Sequence, residues 1–314
     1  MTMINSTKGE FSLVGRNQVA TVYYDSSDPV LTYKVSDLFA KDVERVTGRQ
    51  LPVKDIRRHK TSVDNAIIVG TVNSSIIKLL AKQKKITIND LAGTWERYRI
   101  QLVKSPVKGI GKAIVVVGSD RRGAAYGLLS ISEAIGVNPW YFWMDAPVAF
   151  HQYVSLDVTP YASKSPSVKY RGIFINDEDW GLFQWVKNNF EKDRGNFGPK
   201  TYAKVCELLL RLKANYLCPA MHNCSTAFYK VPENKLVADS FGIVMGTSHC
   251  EPLFLNTATE WNSKKYGEWN YETNKRGIDS VLRARTEVTA PYEGVYPLAL
   301  RGLHDVAMKG SNDL

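Results

Sequence analysis

The apolar positions of this chain fall into two rhythms. In the first, β-branched runs at 20–24, 66–71, 98–103 and 113–118 alternate with stretches at 29–47, 73–82 and 123–135, where apolar residues recur every three or four positions. Short apolar runs fit strands and the wider spacing fits amphipathic helices. Residues 1–165 are therefore expected to form an α/β domain. The segment 161–168, rich in Ser and Lys with one Pro, is expected to be a linker.

From residue 166 the rhythm becomes a regular series of βα units. Strands are predicted at 170–176, 214–221, 242–246 and 295–301. Helices are predicted at 199–213, 235–241 and 278–288, the first with Pro199 in its opening turn and Leu208, Leu209, Leu210 and Leu212 supplying apolar surface. Each predicted strand ends in polar, ionisable residues: Asn176-Asp177-Glu178-Asp179, His222-Asn223, Ser248-His249-Cys250-Glu251 and Arg301-Gly302-Leu303-His304-Asp305. One acidic turn after a strand would be an ordinary solvated loop. Four in succession are the pattern of the active face of a (β/α)8 barrel, where rigid strand ends aim groups into a common mouth. A complete barrel takes around 250 residues, so 166–314, with about four βα units, is expected to be the first half of one.

Composition narrows the function classes. With 44% apolar and 23% charged residues among 314, the chain has the makeup of a folded globular protein. No apolar run approaches the roughly 18 residues of a membrane span, and no apolar segment of a signal peptide follows the start. The chain is thus expected either in the cytoplasm or without its export signal, and its location is left open. A net charge of +10 raises nucleic acid as a partner. Apart from 57–60 and 82–85, however, the basic residues are interspersed with acidic ones and no nucleic-acid-binding motif accompanies them. A diffuse positive field suits an acidic polysaccharide equally well.

Four further patterns are set aside. Cys206, Cys218, Cys224 and Cys250 are too few for a disulfide scaffold in a chain this long. His222-x-Cys224 with His249-Cys250-Glu251 contains zinc-ligand types, but the spacing matches no usual pair of ligand knuckles, so no metal is expected. The turn at 118–123 resembles a phosphate cradle yet lacks both glycine-rich patterns. The aromatic cluster Pro139-Trp140-Tyr141-Phe142-Trp143 could stack on a sugar, and packing is the preferred reading.

The segments 170–178, 219–223, 238–252 and 300–305 together resemble the glycoside hydrolase family 115 α-glucuronidases, and 118–127 and 139–143 resemble that family's N-terminal domain. The likeness runs collinearly over nearly the whole chain. It implies removal of glucuronic acid, or its 4-O-methyl form, from α-1,2 branches on xylan, by inversion and without a metal or organic cofactor. Such a reaction needs one carboxylic acid to protonate the leaving oxygen and one carboxylate to activate water.

Carried onto matching positions, the resemblance assigns Asn176 and Asp177 to the first-strand motif, with Asp177 the leading carboxylate, Glu178 and Asp179 being weaker candidates. His249 is assigned a hydrogen bond to substrate, with Glu251 as its structural companion. Arg301 is assigned to the uronic carboxylate, which a guanidinium binds through two parallel hydrogen bonds. Asp305 joins the catalytic carboxylates, and Glu260 falls near a family acid. Family members continue beyond this length, so the general acid is expected past Leu314 and a weakly stable fragment with an exposed fourth strand is anticipated. The alternative function is a binder of acidic saccharides that does not cleave them.

Overall fold

The computed structural model describes residues 1–4, 9–58, 62–298 and 301–309. The chain divides into two compact units, Met1–Lys169 with Leu210–Lys213, and Tyr170–Leu209 with Ala214–Leu314. Both combine strands and helices, giving a mixed α/β fold.

In the first unit, strands β1 (Thr2–Ile4), β2 (Phe11–Val14) and β8 (Val154–Asp157) form a small antiparallel sheet in the order β1-β8-β2. The main sheet has the order β4-β3-β5-β7-β6-β9, built from β3 (Thr21–Tyr24), β4 (Val53–Asp55), β5 (Val63–Thr71), β6 (Tyr98–Lys104), β7 (Ile110–Gly118) and β9 (Tyr161–Ala162). Strands β4, β3, β5 and β7 are parallel, whereas β6 and β9 run antiparallel to their neighbours. Ile67, Ile68, Val69 and Ile114 to Val117 are fully buried, which explains why β5 and β7 read as continuous apolar runs.

Helix α1 (Leu31–Thr47) buries Val35, Phe39, Val43 and Val46, and ends at Gly48 in the left-handed conformation, φ 69°. Helices α2 (Ser75–Lys82) and α3 (Arg121–Ala134) follow β5 and β7. The turn at 118–123 is a structural connection: the Asp120 side chain caps α3, accepting from the N–H groups of Arg122 and Gly123. The predicted linker begins as sheet, since Arg99 pairs with Ala162 and Ile100 with Tyr161.

In the second unit, β10 (Gly172–Phe174), β11 (Tyr216–Cys218) and β12 (Val244–Met245) form a parallel sheet in that order. Around it lie α4 (Leu182–Trp185), α5 (Pro199–Arg211), α6 (Pro232–Ser240), α7 (Thr257–Glu260), α8 (Ser263–Tyr266) and α9 (Tyr271–Thr289). Helix α9 starts earlier than the pattern predicts because Asn270 caps it, and it is kinked at Asn274.

The predicted strand at 295–301 is corrected. The chain makes only an isolated parallel bridge between Gly294 and Met245, with hydrogen bonds from Met245 N to Glu293 O at 3.1 Å and from Val295 N to Met245 O at 2.9 Å. Pro297 has no N–H to continue the ladder, which ends there; residues 299 and 300 lie outside the described residues. No closed barrel is formed among the described residues, and no helix of theirs is long and apolar enough to cross a membrane.

Candidate active site

Three strand ends and the segment around residue 301 supply the polar groups. After β10 the ladder runs one residue further, Ile175 N donating to Cys218 O at 3.0 Å, and then turns at Asp177. Asp177 adopts the left-handed conformation, φ 53°, which Asp tolerates better than most residues. The turn sends neighbouring side chains in opposite directions. Glu178 goes inward, 2% exposed, where Oε1 accepts from His222 N at 2.7 Å and from Ser225 Oγ at 2.8 Å. Asp179 stays at the surface with Oδ1 2.9 Å from His222 Nδ1.

After β12, Gly246 has no room for a Cβ because the Tyr216 hydroxyl occupies that space. The following turn is tied by Thr247 Oγ1 to Glu251 O at 3.0 Å and by Cys250 N to Ser248 Oγ at 3.3 Å. It leaves His249 exposed, with Nε2 3.2 Å from Asp305 Oδ1. The same Asp305 oxygen accepts from Arg301 Nη2. Arg301 is fixed through its backbone, whose carbonyl accepts from Trp269 Nε1 at 2.6 Å.

The structure thus brings His249, Arg301 and Asp305 into one chain of contacts, and places Asp177 within 4.8 Å of a second contact, between Asp179 and His222. The two groups adjoin where the His222 ring meets the His304 ring edge-on, centroids 6.2 Å apart. Asn176 borders Asp177, its Nδ2 3.5 Å from Asp177 Oδ2. Glu260 is placed differently: Oε1 is held by Arg285 and Oε2 accepts from Asn256 N at 3.1 Å.

His222 and His304 carry no assigned role in the sequence, although each lies in a polar segment that follows a predicted strand. Asn256 is invisible there too, since nothing in the run Leu255-Asn256-Thr257 marks a buried amide. Two sets, Asp177, Asp179 and His222, and His249, Cys250 and Asp305, bring three potential ligand atoms within 4.8 Å of one another. In the second, burial pushes the Cys250 thiol up, away from the thiolate that metals bind. Burial also pushes Glu251 up, to about 7.

The model of glycosyl hydrolase family 115 matches residues 163–314. Among solved structures, a family GH115 4-O-methyl-α-glucuronidase with specificity for decorated arabinogalactans is 35% identical, with a TM-score of 0.83 over 96% of this chain. Residues 163–314 thus match glycosyl hydrolase family 115, and the chain as a whole is similar to a member of it. It spans 38% of the length of that GH115 enzyme. A Streptomyces plicatus β-hexosaminidase in complex with its product is 13% identical, with a TM-score of 0.44 over 76% of this chain and 42% of that one, too slight a likeness to carry an argument. No curated protein matches the chain.

Proposed function

We propose that this chain serves a glycoside hydrolase that removes α-linked glucuronic acid, or its 4-O-methyl form, from a decorated polysaccharide. In this reading the second unit is the first half of a (β/α)8 barrel and the strand ends described above are its mouth. The observation that carries the reading is the contact chain His249–Asp305–Arg301 lying beside the acidic loop after β10, joined at His222 and His304. A guanidinium has five N–H donors. Arg301 can therefore keep Asp305 and still offer donors to a uronic carboxylate, which gives selectivity over neutral sugars. Asn176 and His249 would hydrogen-bond sugar hydroxyls.

Inverting hydrolysis requires two carboxyl groups about 6.5–9.5 Å apart, so that a water fits between one of them and the ring. Asp177 and Asp179 have carboxylate oxygens within 4.8 Å of each other, too close for that arrangement. The partner of Asp177 must come from another loop, and Asp305 is the assigned one, while Glu260, the third carboxylate named from the sequence, is held by Arg285 and Asn256 N. The polymer is xylan by sequence resemblance and a decorated arabinogalactan by the specificity of the solved relative.

The test is release of glucuronic acid from decorated xylo-oligosaccharides and from decorated arabinogalactan fragments, with Arg301→Ala and Asp305→Asn as controls. Release abolished by both variants supports the reading, and the preferred substrate names the polymer. Binding without release favours the non-cleaving alternative. Release that survives Asp305→Asn removes Asp305 from the catalytic set.

A further inference from the structure

The groups with proposed chemistry sit on exposed loops, and a loop holds a side chain to the tolerance catalysis needs only if something beneath fixes it. Beneath the mouth of the second unit runs a connected set of buried polar groups. Asn256, 3% exposed, donates from Nδ2 to Met221 O at 2.9 Å and to Glu251 Oε1 at 2.9 Å. Its Oδ1 accepts from Thr259 N at 3.0 Å and Thr259 Oγ1 at 2.9 Å. Glu251, 4% exposed, accepts from Ser248 N on its other oxygen at 3.3 Å.

Met221 and Ser248 are the residues immediately before His222 and His249. One amide and one carboxylate therefore link the backbone in front of one histidine to the backbone in front of the other. Both Asn256 Nδ2 hydrogens are used, and both Glu251 oxygens accept. A glutamine at 251 has only one accepting oxygen, so the need for two explains an acid in so buried a place despite the cost of burying it.

We propose that Glu251 and Asn256 are positioning residues, a buried carboxylate–amide pair that sets the spacing between His222 and His249 and, through them, of Asp179 and Asp305 at the substrate. The proposal rests on reading the mouth as a uronic-acid hydrolase site. It assigns Glu251 a task that reaches past its own loop. Removing either partner leaves buried donors or acceptors unmatched and loosens both loops together.

The experiment compares Glu251→Gln, Asn256→Asp and the double variant, in which an amide at 251 faces a carboxylate at 256 and one donor–acceptor pair is restored. The first readout is the imidazole NMR signals of His222 and His249, assigned by substitution among the chain's five histidines. The second is the split of kcat against KM on the glucuronic-acid-decorated oligosaccharide that the wild-type chain cleaves. Both single variants are expected to shift both histidine signals and to lower kcat by roughly tenfold with little change in KM, and the double variant to recover part of each loss. Signals that stay in place in folded single variants, or a double variant no better than the worse single one, would overturn the proposal. Thr259→Val removes only a hydroxyl donor to Asn256 and keeps the test open if the others do not fold; a smaller shift of the same two signals is expected, and none would count against the pair. A wild-type chain that releases no sugar would sink the functional reading while the NMR arm still decides the positioning one.

Discussion

Two buried carboxylates, one in each unit, stand just beyond a parallel strand and behave in opposite ways. Asp25, after β3, is fully buried and accepts from Ser27 N at 2.9 Å, Ser27 Oγ at 2.6 Å, Ser74 Oγ at 3.1 Å, Ser75 Oγ at 2.5 Å and Ile76 N at 3.1 Å. Burial alone would raise its pKa, but the hydrogen bonds from Ser27, Ser75 and Ile76 outweigh it and hold the carboxyl well below the usual range. Glu251, after β12, accepts from two donors, and the negative charges of Glu260 and Glu178 add to the burial that pushes it up to about 7. The same address at a strand end becomes a saturated structural cap in one unit and a group poised near neutrality in the other. The number of donors aimed at each acid decides which.

The largest effect expected from breaking this contrast is at Asp25. Asp25→Ala leaves buried Ser and backbone donors without an acceptor and is expected to destabilise the first unit by about 4 kcal/mol in chemical denaturation. Because folding lowers the pKa of Asp25, its contribution is present above the ordinary carboxylate pKa and fades as the pH falls below it. A loss under about 1 kcal/mol would show that the five contacts are incidental.

Glu251 has the opposite sign. Its folded pKa lies above the ordinary glutamate value of 4.5, so its contribution is complete below that value and is lost as the pH rises through about 7. Wild-type stability is expected to fall by up to about 3 kcal/mol across that interval, and Glu251→Gln to flatten the profile. The groups facing it, Glu178, Glu260, Tyr202, Tyr229, Cys218 and Cys250, must be held constant in the comparison. An equally steep profile in the variant would assign the slope elsewhere.

The smallest effect separates carboxylates within the second unit. Glu260 is engaged by Arg285 and Asn256 N, whereas Asp305 lies exposed beside His249 and Arg301. Glu260→Gln is therefore expected to cost hydrolysis less than Asp305→Asn, by tenfold or so as the kinetic difference between holding a loop and touching the substrate. Equal losses would place Glu260 in the chemistry.

The two units also differ in how far the sequence disclosed them. In the first, apolar runs such as Ile114 to Val117 are long enough to mark strands without help, and the helices keep their period over several turns. In the second, the strands are only two or three residues long, and the predicted ends at 176, 221 and 246 belong to loops whose shape is set by tertiary hydrogen bonds. The strand at 295–301 failed because Pro297, set among apolar residues, interrupts the ladder. Within the candidate site, His249, Arg301 and Asp305 were named from the sequence and meet one another in the structure, although no strand forms ahead of Arg301 among the described residues. The buried link from Met221 through Asn256 to Glu251 and Ser248 was not, because a buried amide joining residues 35 apart has no local pattern.

On the proposed function, the second unit holds a negatively charged sugar through Arg301. Calorimetric titration of glucuronic acid and of glucose into the wild-type chain and Arg301→Ala measures that selectivity. Binding of glucuronic acid, much weaker binding of glucose, and a loss of about tenfold or more for the acid alone in the variant are expected. Equal affinity for the two sugars, or glucuronic acid binding unchanged by Arg301→Ala, would contradict it.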